Sequence, residues 1–319
     1  MAFFGGIDGG ASKTHCVIGD SEGKIVAEYF SAGSNHQVIG PDSAKKAIRE
    51  ALDGALSNAG ISITDLDYTA LGLAGADLEP DFIILNAICG EIFGNDRFKV
   101  MNDTWIGLRA GIPENWGIVT VCGTGSACSG RNREGVEATL RNLTFETGNS
   151  GGGFDIIREA FHFAFRSEEG TGCKTKLEEE LPRLLGLNSM PDLLEAAVSM
   201  RIDPEKAYAV PVLVCELASD GDLVCQNILL EMGRTLGEIA SGVIRKLHME
   251  KLKFRVTLIG GVFKSSNPLL VDEYTTTVHR TAPNAKIGIS KVKPAIGAYY
   301  LALGKYDKIM KTGLLNNIE

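Results

Sequence analysis

The feature that most constrains the fold of this sequence is a strand, a glycine-rich turn and a returning strand, which occur twice. The first copy runs through residues 7–13 (IDGGASK). Its returning strand is followed by a further turn at residues 20–23 (DSEG). Residues 5–31 are therefore predicted to form three strands joined by two hairpins. At Gly117 the pattern starts again, with an apolar strand, the turn at residues 123–126 (GTGS) and a polar strand. This weak internal repeat predicts two similar domains.

Helical periodicity fills most of the sequence between these strands. Residues 42–58 place apolar side chains on one face, with Asp42 or Ser43 as the candidate cap and Gly60 beyond the end. Further helices are predicted at 80–93, 105–110, 153–165, 175–185, 204–248 with breaks, and 294–305. Further strands are predicted at 69–75, 97–102, 118–122 and 255–260.

The length of 319 residues exceeds what one hydrophobic core usually supports. We place one domain at residues 1–115 plus 293–319, because the last helix is expected to return to it, and the other at 116–292. The two crossings between domains are expected near Pro113 and Lys293.

Composition and charge exclude several classes of function. A formal net charge of −8 without a basic stripe argues against nucleic acid or an anionic membrane as a partner. The sequence shows no secretory leader and no apolar run of the ~20 residues that span a bilayer, so we expect a cytoplasmic protein. Seven scattered cysteines without a C-x-x-C pair argue against a disulfide framework or a zinc site.

The first glycine turn, residues 9–14, is a candidate phosphate-binding element. Adjacent Gly9 and Gly10 let the backbone approach a polyanion, and Ser12, Lys13 and Thr14 add donors. Asp8, just before the turn, is placed to hold Mg²⁺ through water. The segment is not a P-loop, because a strand rather than a helix follows Lys13. Taken alone, the segment favours an ordinary hairpin turn.

The second glycine turn, residues 123–126, is the other candidate. It resembles the start of a dinucleotide fingerprint, but Cys128 takes the place of the third glycine and no helix is predicted to follow. A Rossmann site is therefore rejected. Two glycine hairpins, each opening half of a repeat, favour phosphate binding more strongly than either does alone, and Gly123, Thr124, Gly125 and Ser126 become candidate nucleotide contacts.

Asp103 is the candidate general base. It follows an apolar strand and precedes a short helix, and in open α/β sheets the carboxyl ends of strands face the ligand crevice. An aspartate before a helix is also a favoured N-cap, so position alone leaves both roles open.

Together these residues resemble the N-acetylglucosamine kinase family and its relatives, the BadF/BadG/BcrA/BcrD ATPase superfamily. The segments that carry the resemblance are residues 6–14, 35–40 (NHQVIG), 72–76 (GLAGA), 102–103, 123–126 and 260–263 (GGVF). The resemblance implies an α/β fold of duplicated actin-like ATPase domains, related to ribonuclease H. Each domain would hold a mixed five-stranded sheet with helices, and a nucleotide cleft would lie between the lobes.

The resemblance also implies activity and residue roles. The chain would be an ATP- and Mg²⁺-dependent sugar kinase, with a phosphorylated alcohol as product, and a homodimer. Gly260 and Gly261 would approach adenosine, and the turns would hold phosphates. Asp103 would take the proton of the sugar hydroxyl. The sugar-binding lobe would be the first domain, and the nucleotide-binding lobe the second. The sugar pocket would be lined by Asn35, Gly75, Asn102, Asp103, Thr124 and Asn149.

The sequence departs from the family pattern after the second turn. Such kinases carry Gly-Gly-Trp-Gly and then Gly-Asp-Glu-Gly-Ser, whereas this chain has residues 141–144 (RNLT) and 148–152 (GNSGG), with Asn149 at the acidic position. We expect a rebuilt acyl-side pocket that leaves glucosamine, N-acetylglucosamine and N-acetylmuramic acid open, with the 6-hydroxyl as acceptor. Glu146 is a candidate for attracting an ammonium group, and Arg141 for attracting a lactyl carboxylate.

Two other functions stay open from sequence. One is an ATP-driven activator of a radical dehydratase, which shares the fold and uses a cysteine-bound iron–sulfur cluster; Cys122 and Cys128 flank the second turn. The other is a sugar sensor without turnover, suggested by the altered loop at 148–152.

Overall fold

The computed structural model describes residues 2–94, 97–140, 143–265 and 267–304. The chain divides into two compact units. The first comprises Met1–Val119 and Ser290–Glu319, and the second comprises Thr120–Ile289. The first unit is therefore discontinuous in sequence, while the second is one uninterrupted stretch.

The first unit is built on a five-stranded mixed sheet in the order β3-β2-β1-β4-β5. Its strands are β1 (Phe3–Gly9), β2 (Lys13–Asp20), β3 (Ile25–Ala32), β4 (Leu66–Leu73) and β5 (Phe98–Asn102). The first three strands form an antiparallel meander, and β4 and β5 continue parallel to β1. Parallel strands end at the same edge of the sheet, so the residues that follow β1, β4 and β5 gather there.

Helices cover both faces of this sheet. They are α1 (His36–Ile39), α2 (Pro41–Ala59), α3 (Glu79–Phe93), α4 (Asp103–Gly111) and α12 (Pro294–Leu303), with a 3₁₀ turn at Ile63–Asp65. Ile7 packs with α2 and α3 on one face. Phe4 packs with α4 and α12 on the other, where Tyr299 is fully buried. Alternation along β1 thus separates two hydrophobic cores.

The second unit repeats the plan with the order β10-β9-β6-β7-β8. Its strands are β6 (Gly117–Cys122), β7 (Ser126–Arg131), β8 (Glu137–Thr139), β9 (Arg255–Ile259) and β10 (Lys286–Ile289). The β7–β8 pair is antiparallel and the β9–β10 pair is parallel. Its helices are α5 (Gly153–Glu168), α6 (Leu177–Leu185), α7 (Met190–Val198), α8 (Pro204–Ala207), α9 (Val210–Ser219), α10 (Leu223–Lys246) and α11 (Leu269–Thr281), with 3₁₀ turns at Phe145–Thr147 and Val262–Lys264.

The prediction of two α/β domains with mixed five-stranded sheets is confirmed. The cap expected for the first long helix is wrong. Gly40 is the N-cap residue of α2 and Pro41 its first residue, so neither Asp42 nor Ser43 caps it. Lys305, where the last helix was expected to end, lies outside the described residues. No helix in the described part of the chain is long and apolar enough to cross a membrane.

Candidate active site

The parallel strands of the first unit bring Asp8, Asn102 and Asp103 to one edge of the sheet. Asp8 on β1 lies opposite Gly72 on β4, and Gly72 lies opposite Met101 on β5. Since all three strands run in the same direction, the ends of β1 and β5 lie at the same edge, separated only by β4. We call this the carboxyl edge.

Asp103 is the first residue of α4, and the helix cap is its neighbour Asn102. The side-chain oxygen of Asn102 accepts hydrogen bonds from the backbone N–H of Thr104 at 3.0 Å and from its hydroxyl at 2.6 Å. Asn102 thereby takes the N-cap position that was considered for Asp103. Backbone N–H groups of Thr104 and of Asp103 itself still reach the Asp103 carboxylate.

The environment of Asp103 suits a general base. Burial, followed by the negative charges of Asp8 and Asp77, raises the pKa of Asp103 to about 7, although the helix N–H groups oppose the shift. A carboxyl group with a pKa near neutrality can accept a proton in the transition state and release it afterwards.

Asp8 is also held in an unfavourable environment for its charge. Burial raises its pKa to about 6, while the positive charge of Lys13 lowers it. Carboxylates that repel one another at one edge, as Asp8 and Asp103 do, favour a bound cation, and oxygen is the donor that Mg²⁺ prefers. Within the described ranges, no three His, Cys, Asp or Glu side chains are grouped to hold a metal ion.

The first glycine turn closes between β1 and β2. The Gly10 N–H donates to the Lys13 carbonyl at 2.9 Å, and the Gly10 carbonyl accepts from the Ser34 N–H at 2.9 Å. Ser12 and Lys13 are exposed, whereas Thr14 is buried and its hydroxyl lies 2.8 Å from both the Ala32 carbonyl and the Ser34 hydroxyl. The turn therefore offers its tip, rather than Thr14, to solvent.

Gly9 packs closely against two neighbouring side chains. A Cβ atom at this position would lie 2.4 Å from the Ser34 hydroxyl oxygen and 2.6 Å from a Leu73 methyl carbon. A side chain at this position would have to displace the Ser34 hydroxyl and the Leu73 methyl group, so glycine lets the turn lie close to both residues.

Asn35 and Gly75 lie against each other beside the carboxyl edge. Asn35 caps α1 by accepting from the Gln37 N–H at 3.0 Å. Gly75 has φ +83°, and a Cβ atom there would lie 2.7 Å from the Asn35 side-chain oxygen. These two predicted sugar-pocket residues therefore adjoin, and a side chain at position 75 would occupy the space at Asn35 Oδ1.

Asp77 is a residue of this region that sequence reasoning missed. Its carboxylate accepts a hydrogen bond from the Asn102 side-chain amide at 2.9 Å. Burial and the charge of Asp81 raise its pKa, whereas the bond from Asn102 lowers it. A lone aspartate after a glycine motif has no distinctive spacing, so only the contact with Asn102 identifies it.

In the second unit, the second glycine turn rests on the start of α5. The Gly123 N–H bonds the Gly125 carbonyl at 2.9 Å, and the Gly153 and Phe154 N–H groups bond the Gly123 and Thr124 carbonyls at 2.8 and 3.0 Å. A Cβ atom on Gly152 would lie 2.5 Å from Gly125 Cα. The glycines before α5 therefore permit direct backbone contact with the turn.

Asn149 is bonded to this turn at two points. Its side-chain oxygen accepts from the Ser126 hydroxyl at 2.7 Å, and its side-chain amide donates to the Ser126 carbonyl at 3.2 Å. An aspartate could not make the second bond, because a carboxylate would face a carbonyl oxygen. Thr124 and Asn149 are thus brought to the same glycine turn. Glu146 is exposed on a 3₁₀ turn, and Arg141 lies outside the described residues.

Gly260 and Gly261 follow β9 beside the same turn. Gly260 has φ +119°, and a Cβ atom there would lie 2.0 Å from the Cys122 carbonyl oxygen. A Cβ atom on Gly261 would meet nothing within 4 Å. Gly260 therefore packs on the strand that leads into the second turn, and Gly261 borders open space.

The two cysteines considered for a cluster are core residues. Cys122 and Cys128 are buried, and Cys122 Sγ donates to the Gly151 carbonyl at 3.0 Å. Burial raises the pKa of Cys128 to about 12, which disfavours the thiolate that an iron–sulfur cluster needs.

Two known proteins are similar to this chain over nearly its whole length. The chain is 32% identical over 307 residues to the N-acetylmuramic acid/N-acetylglucosamine kinase of Clostridium acetobutylicum, covering 96% of this chain and 100% of that protein. It is 30% identical over 311 residues to the N-acetyl-D-glucosamine kinase of Dictyostelium discoideum, covering 94% and 97%.

A crystal structure from Chromobacterium violaceum, provisionally assigned as an N-acetylglucosamine kinase, is similar in fold. Its TM-score is 0.73 at 20% identity, covering 95% of this chain and 99% of that one. The model of the BadF/BadG/BcrA/BcrD ATPase family matches residues 6–302. The chain belongs to the BadF/BadG/BcrA/BcrD ATPase family.

Proposed function

We propose that the chain transfers a phosphoryl group from ATP to a hydroxyl of an amino sugar. The observation that carries this proposal is Asp103, a carboxylate at the carboxyl edge with a pKa of about 7. The names of the two relatives, at 32% and 30% identity, support the substrate class, since both name N-acetylated amino sugars. An iron–sulfur activator is not favoured, because Cys122 and Cys128 are buried in the second unit.

The chemistry assigned to Asp103 is proton acceptance. As the sugar oxygen bonds to the γ-phosphorus, its proton passes to the Asp103 carboxylate, the bond from the γ-phosphorus to the bridging oxygen breaks, and ADP leaves. Mg²⁺, when bound with ATP, would neutralise phosphate charge. Asp8 would hold it through water, and that positive charge would lower the pKa of Asp103 toward the ionised form.

The glycine turns supply phosphate contacts in this proposal. In the first unit these contacts come from the tip formed by Gly9, Gly10, Ser12 and Lys13, with Thr14 supporting the turn from beneath. In the second unit they come from the turn at residues 123–126, and Gly260 and Gly261 approach adenosine. In both turns the backbone lies close to the protein surface, as binding of a polyanion requires.

The sugar pocket is assigned to Asn35, Gly75, Asn102, Asp103, Thr124 and Asn149. N-acetylglucosamine, glucosamine and N-acetylmuramic acid are the substrates proposed, with the 6-hydroxyl as acceptor. A homodimer and a cytoplasmic location, where ATP is abundant, complete the proposal.

A coupled ADP-release assay over a panel of sugars tests this function. We expect turnover with at least one of the three amino sugars and much less with glucose. Equal kcat/KM for glucose would remove the amino-sugar preference. Sugar binding without any turnover would instead support the sensor.

The Asp103→Asn variant tests the mechanism. We expect kcat to fall by roughly 10²–10⁴-fold with nucleotide binding nearly unchanged, because a general base acts on the chemical step. Asp53→Asn on the exposed face of α2 is the matched control and should retain activity. Retention of more than about a tenth of kcat in Asp103→Asn would contradict the role of Asp103.

A further inference from the structure

Asp81 is a buried charged residue that the proposed mechanism does not use. It is the third residue of α3 and only 8% exposed. A buried carboxylate is unfavourable unless hydrogen bonds compensate for its lost hydration. The partners of Asp81 therefore indicate what its burial achieves.

One carboxylate oxygen of Asp81 accepts a hydrogen bond at the start of its own helix. Oδ2 accepts from the Leu78 N–H at 2.8 Å, which is the ordinary bond from a third helical residue back to the N-cap. Capping alone would explain this bond and would leave the other oxygen free.

The other oxygen bonds a distant segment. Oδ1 accepts from His36 Nε2 at 3.0 Å and from Gln37 Nε2 at 3.1 Å, residues 45 and 44 positions earlier in the chain. His36 must carry its proton on Nε2 in this arrangement, because a carboxylate only accepts. Asp81 thus ties α1 to the start of α3.

Gln37 also contacts Asn35 and Gly75, two of the predicted sugar-pocket residues. Gln37 Nε2 also lies 3.3 Å from the Gly75 carbonyl oxygen, and the Gln37 N–H is capped by Asn35. His36 and Gln37 directly follow Asn35, so the position of Asn35 depends on where they are held. We name Asp81, His36 and Gln37 the Asp81 network.

Electrostatics agree with a charged Asp81. Burial raises its pKa, but hydrogen bonds from Gln37, Leu78, His36 and the Asp77 backbone outweigh burial and hold the pKa below its usual value. The carboxylate is therefore ionised at neutral pH and makes charge-assisted bonds, which are the stronger kind.

We propose that Asp81 is a positioning residue that fixes the spacing between Asn35 and Gly75, and so sets which sugars the pocket accepts, without touching the sugar. This inference rests on the proposed sugar-kinase function. The room beside Gly75 is set by this spacing, because a Cβ atom there would already lie 2.7 Å from Asn35 Oδ1 and 3.2 Å from Gln37 Cδ.

Asp81→Asn is the direct test. An amide keeps one acceptor oxygen but turns an N–H group toward the Leu78 N–H or toward His36 and Gln37. The Asp81→Asn variant would therefore lose either the bond to Leu78 or the bonds to His36 and Gln37. We expect KM for the sugar to rise roughly tenfold or more, the size expected for loss of a hydrogen bond to a charged group. KM for ATP should stay within about twofold, because the affected contacts lie on the sugar side. The preference for the amino sugar over glucose, measured as a ratio of kcat/KM, should shrink by a similar factor.

Gln37→Met is a second variant at an exposed position, where misfolding is not expected. Methionine has a similar length but cannot bond Gly75 or Asp81. We expect the same direction of change in sugar KM and in the sugar preference, with an unchanged melting temperature.

Asp222→Asn is the matched control. Asp222 is also a buried helix-capping aspartate that joins two segments, through Thr175 and Lys176 in the second unit. It should lower the melting temperature without changing sugar KM or the sugar preference.

The outcomes separate the two levels of the proposal. If the wild type phosphorylates an amino sugar while Asp81→Asn and Gln37→Met keep its sugar KM and preference, the positioning role is overturned and the kinase function stands. If the wild type phosphorylates none of the sugars, the kinase function fails and the positioning role fails with it.

Discussion

Asp103 shows how a single residue acquires its chemistry from neighbours that are distant in sequence. Asn102 caps α4 and Asp77 holds the Asn102 amide, so the Asp103 carboxylate stands at the first helical position with negative charges nearby. The sequence could identify Asp103 as a candidate because it follows a strand. It could not identify Asp77, whose importance depends on a contact across 25 positions.

The pKa of Asp103 predicts the pH dependence of the reaction. The raised value means that the carboxyl of the free enzyme is protonated below pH about 7 and cannot accept the sugar proton there. We expect kcat/KM for the sugar to fall about tenfold for each pH unit below the pKa of Asp103, which is about 7 in the free enzyme and lower when Mg²⁺ is bound, and to level off above that pKa. Steady-state kinetics from pH 5 to 9 at saturating ATP and Mg²⁺ measures this acid limb of the kcat/KM profile, which bound Mg²⁺ should shift toward lower pH.

Asp77→Asn is the control for the origin of the shift. The amide oxygen can still accept from Asn102, but one negative charge near Asp103 is gone, so the acid limb should move to lower pH. A limb that does not move would show that burial and the charge of Asp8, without Asp77, set the pKa of Asp103.

Among the elements, α12 is the clearest case of close backbone packing. A Cβ atom on Gly6 of β1 would lie 2.2 Å from the Tyr299 nitrogen and 2.3 Å from the Ala295 carbonyl oxygen. Both are backbone atoms, which no rotamer change can move. Helix α12 can therefore lie on the sheet only because position 6 is glycine.

Gly6→Ala should destabilise the first unit. Forcing α12 away from the sheet should cost about 3 kcal/mol, the upper part of the range for overpacking, and lower the melting temperature by roughly 6–12 °C. Thermal unfolding followed by circular dichroism measures this. Gly288→Ala on β10 is the control, because a Cβ atom there meets nothing within 4 Å. Equal melting temperatures for the two variants would contradict the packing argument.

Most elements could be predicted from periodicity and glycine turns, and the exceptions have physical reasons. Helix α11 was missed because Leu269–Thr281 contains several threonines and valines, which favour strands, and its buried positions include the polar Thr277. Strands β8 and β10 have three and four residues, too few to show alternation. The start of α2 was misplaced because Gly40 and Pro41 provide no side-chain cap.

For the candidate site, the sequence could indicate which segments matter but not how they are connected. Glycines at positions 9, 75, 152 and 260 are explained by close contacts that only the fold creates. The Asp81 network could not be predicted, because an aspartate three residues into a helix usually needs no partner beyond its own cap. The roles assigned to the individual site residues stay predictions.

At the scale of the whole molecule, the chain builds the same sheet plan twice but completes the two units differently. All strands of the second sheet lie between Gly117 and Ile289. The first unit needs α12, which comes from the far end of the chain. In the core around Phe4 in the first unit, Ala295, Ala298 and Tyr299 are fully buried, and Leu303 is nearly so. A large apolar side chain such as Leu303 contributes about 1.5–3 kcal/mol when buried.

This difference predicts unequal behaviour of isolated fragments. Residues 116–289 should fold alone, because they contain one complete sheet with its helices. Residues 2–116 should not fold cooperatively, because the face of the sheet around Phe4 would be uncovered, at a loss that approaches the 5–15 kcal/mol stability of a typical domain. Joining residues 290–304 to that fragment through a flexible linker should restore a cooperative transition. Urea unfolding of the three fragments, followed by circular dichroism, measures this. Cooperative folding of residues 2–116 without α12 would show that the antiparallel meander and the core around Ile7 stabilise the unit by themselves.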